Sequence, residues 1–403
     1  AYITIKAQND GQVTVISSGV PALYITGRNY LNIEGIIFKG KGTSWGETVY
    51  VTSSTGYEGG TPSTYINIKR CSAYHKDGET DGTGFGLSYS NHILVEDCAA
   101  TGDGRILYNA QTCDYVTFRR CWARYTGATT TPRQGIQIYG SNDSIVENCI
   151  FVRASGASTT GISIWANTYN LHADRNKIYG NVVYNSDFIG FGINSEINLI
   201  QNNEWKDDVS INSGAFGFYQ RADDNFTATN LTSVGQSNAS YGAYVLDSDS
   251  DLTGTLGTLK NSSFYNSSGY GIKRIDSTLS HRYDNLYDVK HCYRGTSPGR
   301  KDTCNSLNPN YEAATYGRGA YLMVPPALKG KGENGADIGA EVLFRYQDGV
   351  LHDGREGRPG PKPLWPWPME DRIYRETGIS VTWESKGGLW KTLDGVYGHK
   401  VNN

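Results

Sequence analysis

The sequence is short of charge, of methionine and of long apolar runs. Charged residues make up 19% of its 403 positions and Met occurs twice, and long stretches lack the Ala, Leu, Glu and Lys that favour helices, so helix is expected to be scarce. No apolar run approaches the ~20 residues of a membrane-spanning helix. The net charge of −3, with Lys and Arg scattered rather than run together, leaves no electrostatic footprint for nucleic acid. No charged-then-apolar leader opens the chain, because Ala1-Tyr2-Ile3-Thr4-Ile5 reads at once as a strand. Seven cysteines are too few for a disulfide scaffold, and the odd count leaves at least one unpaired within the chain.

What is abundant is Gly, at 49 positions, and Tyr, at 29, a balance of turns and strands. A short phrase recurs. Tyr30-Leu31-Asn32-Ile33-Glu34-Gly35-Ile36 aligns with Tyr65-Ile66-Asn67-Ile68-Lys69-Arg70-Cys71, and copies follow at His92–Cys98, Tyr115–Cys121 and Asp143–Cys149. Later copies loosen but keep an Asn near the bend, at Asn181, Asn202, Asn230, Asn261 and Asn285. The spacing of about 21 to about 35 residues suits a solenoid repeat, one unit to one coil. Inside a unit, Ile66 and Ile68 alternate with polar residues, two polar residues follow, and alternation resumes at Cys71 and Ala73, which reads strand, sharp bend, strand. Asn tolerates the left-handed backbone of such a bend, so a stacked asparagine ladder is expected. Cys71, Cys98, Cys121 and Cys149 share one position and are expected to form a reduced core stack.

These phrases resemble the right-handed parallel β-helix repeat proteins, the pectate-lyase-like superfamily that includes pectate lyases, chondroitinase- and alginate-lyase-like enzymes and phage tailspikes. The resemblance runs over roughly residues 1 to 295. It implies an all-β fold, a right-handed parallel β-helix of about ten rungs over residues 1–296, followed by an irregular aromatic- and Pro-rich segment over 297–403 that caps the solenoid or makes contacts. The phrase Gly335-Ala336-Asp337-Ile338-Gly339-Ala340 looks like a closing strand found after β-helix domains of secreted proteins. The implied location is extracellular or at the cell surface.

The superfamily's catalytic phrases are missing. There is no Gly-His-Gly of the polygalacturonase type, no Tyr-Gly-Phe/Ile-Asp-Pro-His of the epimerase type, and no Asn-Gly-Gly unit of the lyase type, so no catalytic residue carries over. β-Elimination needs only a base near an acidic proton and a cation for the carboxylate; His75, Lys76, Arg105 and Arg133, on neighbouring coils, are the candidates. Asp77, Glu79 and Asp81, with carboxylates at alternate positions before Gly82, resemble half a calcium loop; no cofactor is required otherwise. Trp45, Trp205, Tyr219, Trp365, Trp367, Trp383 and Trp390 are candidates for contact with a glycan or a second subunit, together with Trp122, Tyr125 and Trp165. Cys292 and Cys304 flank a Gly-, Pro- and charge-rich loop and are a disulfide candidate. Sequons stand at Asn142, Asn225, Asn230, Asn238, Asn261 and Asn266.

The expected function is an extracellular structural or adhesive rod. It would self-assemble through an open first rung and the Trp-rich C-terminal segment, or bind matrix polysaccharide. The alternatives are a lyase acting on an acidic glycan and a tailspike-like recognition module. The expected partners are copies of the chain or an extracellular polysaccharide, not nucleic acid and not a membrane.

Overall fold

The computed structural model describes residues 1–19, 21–41, 46–75, 82–126, 133–153, 159–167, 172–195, 200–221, 223–247, 256–275, 278–294, 307–311 and 318–379. Its body is the expected right-handed parallel β-helix. A typical coil contains three strand segments, such as Asn91–Glu96, Ala99–Gly102 and Ile106–Gln111. The first segment of each coil stacks on its neighbours into an 11-stranded parallel sheet, and the other two build a 20-stranded one.

Alternation places one row of each strand inward. Ile66, Ile93, Val116 and Val146 with Ile68, Val95 and Phe118 are buried in one continuous core with Phe85, Tyr108, Ile136 and Ile162 from the third segments. The sharp bend after the first segment lies where the repeat puts it. Gly35, Arg70, Asp97, Arg120, Asn148, Gly180, Asp207, Asn230 and Asn261 all occupy the left-handed region there, with φ between 49° and 73°.

The expected asparagine ladder is present in part, with Asn203 Oδ1 accepting from Asn176 N at 2.8 Å and Asn32 Oδ1 from the Asn67 amide at 2.9 Å, while the row after the first bend is mixed. At the position just after the bend, several side chains accept the backbone N–H of their counterpart one coil earlier. Cys98 Sγ takes Cys71 N at 3.4 Å, Cys149 Sγ takes Cys121 N at 3.4 Å, Asn181 Oδ1 takes Cys149 N at 2.7 Å and Asp208 Oδ1 takes Asn181 N at 2.8 Å. Ser262 and Asp284 continue it at 3.1 and 3.0 Å. The acceptors of the row are mixed in kind, and Leu231 interrupts them. Asn230 and Asn261 lie one place earlier, Asn202 sits at a different bend with φ 59°, and Asn285 starts a strand. Cys71, Cys98, Cys113, Cys121 and Cys149 are free and buried; burial pushes the Cys71 thiol up to about 11 and that of Cys113 up to about 12, so they are poor nucleophiles. Cys292 is disulfide-bonded, while Cys304 lies outside the described residues.

Many glycines serve strands rather than turns. Gly135, Gly161, Gly190 and Gly217 form one column, and a Cβ on each would meet the carbonyl oxygen of the next coil at 2.5–2.6 Å. Along the first sheet an outward row alternates in charge. Lys6–Glu34, Lys69–Glu96, Arg119–Glu96 and Arg119–Glu147 pair at 3.3, 3.1, 3.2 and 2.5 Å. Sliding the stack by one coil would set like charges together, so this row helps to fix register.

The C-terminal segment, expected to cap the solenoid or make contacts, packs along its flank. Residues 318–379 run back along the outward row Ala99, Trp122, Ile150, Val182 and Val209, covering it with Leu322, Val342, Leu364, Trp365, Trp367, Met369 and Ile373. That row is apolar although it faces away from the helix interior, and burying it drives docking. The Gly335–Ala340 phrase is not a strand but part of this strap, beginning in a 3-10 turn at Glu333–Gly335. Near the other end, helix α1 (Glu370–Thr377) is tied to the first coils by buried Arg372, whose guanidinium pairs with Asp10 at 2.8 Å and Glu376 at 2.6 Å.

Candidate recognition face

The third segments of successive coils include Ile106–Gln111, Arg133–Tyr139, Thr159–Ala166 and Ile189–Ser195, stacked in register. Their inward residues are apolar: Tyr108, Ala110, Ile136, Ile138, Ile162 and Ile164. The intervening positions therefore face outward, and they are mostly amides, hydroxyls and aromatics. Asn109, Gln137 and Ser163 form one outward row; Gln111, Tyr139, Trp165 and Asn194 form the next.

Outward side chains of a sheet are ordinarily solvated, yet Asn109, Gln134, Gln137 and Ser163 are only 7%, 9%, 3% and 6% exposed. Ser163 donates to Gln134 Oε1, and the Asn167 amide donates to Tyr139 Oη. Tyr139 and Trp165 sit with ring centroids 6.1 Å apart. Three polar atoms here, Asn109 Oδ1, Trp165 Nε1 and Asn194 Oδ1, are buried without a hydrogen-bond partner, an unusual cluster in a folded protein. Two acceptors and a donor so placed match the hydroxyls of a carbohydrate, and the aromatic pair supplies apolar surface for a sugar ring.

Glu47 belongs to the same sheet, on the row that continues through Thr83, Ile106 and Gln134. Burial pushes its carboxyl above the usual range, its own backbone amide opposing. Gly86 is required beside it, because a Cβ there would come within 2.5 Å of Glu47 Cγ.

The residues singled out from the sequence fare unevenly. His75 is buried, with Nδ1 at 3.4 Å from Thr48 Oγ1, whereas Arg105 is exposed and makes no ion pair among the described residues. Lys76, Asp77, Glu79, Asp81, Trp45, Trp383 and Trp390 lie outside the described residues, as does the Arg133 side chain. Trp205 points into the coil between Phe191, Phe218 and Phe226, and Trp122, Tyr125, Trp365 and Trp367 are also buried. That removes these five from the candidate contact residues, since a glycan or second subunit cannot reach them. Tyr219 is half-buried against Phe216, its hydroxyl 3.3 Å from Asp247 Oδ2. Among the sequons, Asn225, Asn238 and Asn266 are exposed. Asn142 and Asn230 are half-buried and donate to Asp114 and Asp207. Asn261 is buried under the strap, its Oδ1 accepting from Glu333 N at 2.8 Å, so the folded protein does not present it to a glycosyltransferase.

Residues 3–178 match the family model described as the right handed beta helix region. No curated protein matches the sequence. Among solved structures, a mutant tailspike protein of E. coli bacteriophage HK620, in complex with a pentasaccharide, is similar with a TM-score of 0.50 and 12% identity. That likeness covers 74% of this chain and 57% of the tailspike chain. An alginate lyase from a Paenibacillus species gives 0.48 and 14%, covering 70% of this chain and 98% of that one. A pectate lyase gives 0.43 and 14%, covering 84% and 85%. At such identities the likeness is one of fold alone. The repeat, the stacked coils and the family model over residues 3–178 agree that the fold of this chain is a right-handed parallel β-helix.

Proposed function

We propose that the protein is an extracellular glycan-binding β-helix that holds a carbohydrate chain across the amide-lined face. The observation that carries this reading is the set of orphaned polar atoms, Asn109 Oδ1, Trp165 Nε1 and Asn194 Oδ1, gathered on one outward face. A solenoid suits such a task because equivalent positions recur at ~4.8 Å along the axis, giving a linear polymer a linear track. Screening the protein against immobilised glycans and titrating the best binder by calorimetry tests the reading. Trp165→Ala is expected to weaken binding by about 1–3 kcal/mol and Gln111→Ala, on the half-buried row, by about 1 kcal/mol, with the unfolding midpoint little changed. Binding that is indifferent to both substitutions would place the ligand elsewhere.

A second reading, cleavage of the bound glycan, draws support from Glu47, whose carboxyl burial holds in the proton-donating form at higher pH than usual. Reducing ends or unsaturated sugars should then accumulate with the native protein and not with Glu47→Gln; their absence with every bound glycan leaves the protein a binder.

A further inference from the structure

The geometry points to a second site on a different face, a cationic groove between α1 and the second strand segments, shaped for an extended acidic oligosaccharide. In the second segments, Lys39, Tyr74, Thr101 and Arg124 are register partners on four successive coils. They form one outward row beside the strap, and a cavity of about 590 Å³ opens along it, lined also by Ser17 and Glu376. A second cavity of about 330 Å³ shares Lys39, Tyr74 and Glu376 and adds Arg375. Together they make a groove running with the helix axis.

The charges in this groove are unevenly matched. Glu376 is its one carboxylate among the described lining residues, and it is already committed, pairing with Arg372 at 2.6 Å and accepting from the Tyr74 hydroxyl. Lys39 and Arg375 are exposed and Arg124 is half-buried, and none of the three has an ion-pair or hydrogen-bond partner among the described residues. An unpaired guanidinium in a partly desolvated wall loses hydration without compensation, and burial pulls the Arg124 pKa below the usual guanidinium range. An incoming carboxylate or sulfate would supply the missing counter-charge.

The ligand's length follows from the row. Lys39 and Arg124 are three rungs apart, roughly 14 Å at the strand spacing, so one small anion cannot reach both. A chain carrying charges on successive units can. The hydroxyls of Ser17, Thr101 and Thr377 and the ring of Tyr74 along the groove suit sugar hydroxyls and ring faces. The overall charge of −3 gives no long-range attraction to the far denser charge of nucleic acid.

Calorimetric titration of the full chain with a hexauronate, and in parallel with uncharged cellohexaose, tests this site. The hexauronate is expected to bind, with affinity falling as salt rises. Lys39→Gln and Arg124→Gln should each weaken it by about tenfold or more, without changing any binding of cellohexaose. Lys39 is exposed, so K39Q keeps the test decisive should R124Q fold poorly. No hexauronate binding at low salt, or binding that both variants retain, overturns the proposal. So does a single-stranded DNA that binds with the same two dependences while the hexauronate does not. Trp165→Ala reports on the amide-lined face alone, so failure of that face and failure of this groove are separately visible.

Discussion

Replacing Arg119 by alanine is expected to lower the unfolding free energy by about 3–5 kcal/mol, the cost of removing one member of a buried ion network. The Arg119 side chain is 6% exposed and reaches three carboxylates: Glu147 at 2.5 Å, Glu96 at 3.2 Å and Asp348 of the strap. Glu147 is fully buried. Without the guanidinium it would keep only the backbone N–H groups of Asp348 and Gly349, at 3.0 and 2.9 Å. Arg119→Lys preserves charge but not the three-way fork and should fall between the two. Urea unfolding should show the midpoint falling with an unchanged slope; a loss under about 1 kcal/mol would mean the network adds little beyond its own desolvation.

The same network sets an acid limit. Burial raises the Glu96 carboxyl, but Arg120, Lys69 and Arg119 outweigh it and hold it at about 2. A carboxyl depressed on folding contributes stability that is complete above its unfolded value, about 4.3, and is lost as pH falls towards 2. Arg119→Ala removes one of its three cations, so acid unfolding should begin at a higher pH than in the native protein.

The coil itself was legible because one phrase carries it. Ile66 and Ile68 face inward, Arg70 turns the chain and Cys71 re-enters the core, and each does so in the structure. The ladder was legible only in part: of the five asparagines expected in it, Asn181 alone stands in the row after the bend. Cysteine, asparagine, aspartate and serine all present an inward acceptor there, and composition alone favours the commonest of them. The strap went unread as a flank cover, although Cys149-Ile150-Phe151-Val152 shows its mark. A strand apolar on both faces must be covered on both. Trp365 and Trp367, open in the sequence to packing on the solenoid or to contact with a partner, complete the second face of those strands.

The recognition face escaped for a related reason. The repeat is aligned on the first segment of each coil, while Asn109, Gln137 and Ser163 lie on the third. There the signal was the same alternation with opposite emphasis: Gln137 and Tyr139 polar or aromatic on one side, Ile136 and Ile138 apolar on the other. Amides set between core isoleucines do little for the core, and a solvated sheet face does not need them buried.

Asp223→Asn is expected to stabilise the protein at neutral pH by about 1–3 kcal/mol, the linkage cost of protonating a buried carboxyl that the neutral amide does not bear. Asp223 is fully buried and its carboxyl oxygens lack a well-formed hydrogen bond; burial pushes the group well above the usual carboxylate range, weakly opposed by Asn203 and reinforced by the charge of Asp174. For a carboxyl raised on folding, stability is complete below the unfolded value near 3.9 and is lost as pH rises through the folded one. The native protein should therefore lose stability from this site as pH climbs from about 4 towards neutrality, and the asparagine variant should not. Melting curves of both proteins across that interval should converge at the acid end and separate at the neutral end. Parallel curves would mean that Asp223 is ionised in the native state, held there by a partner other than Asn203.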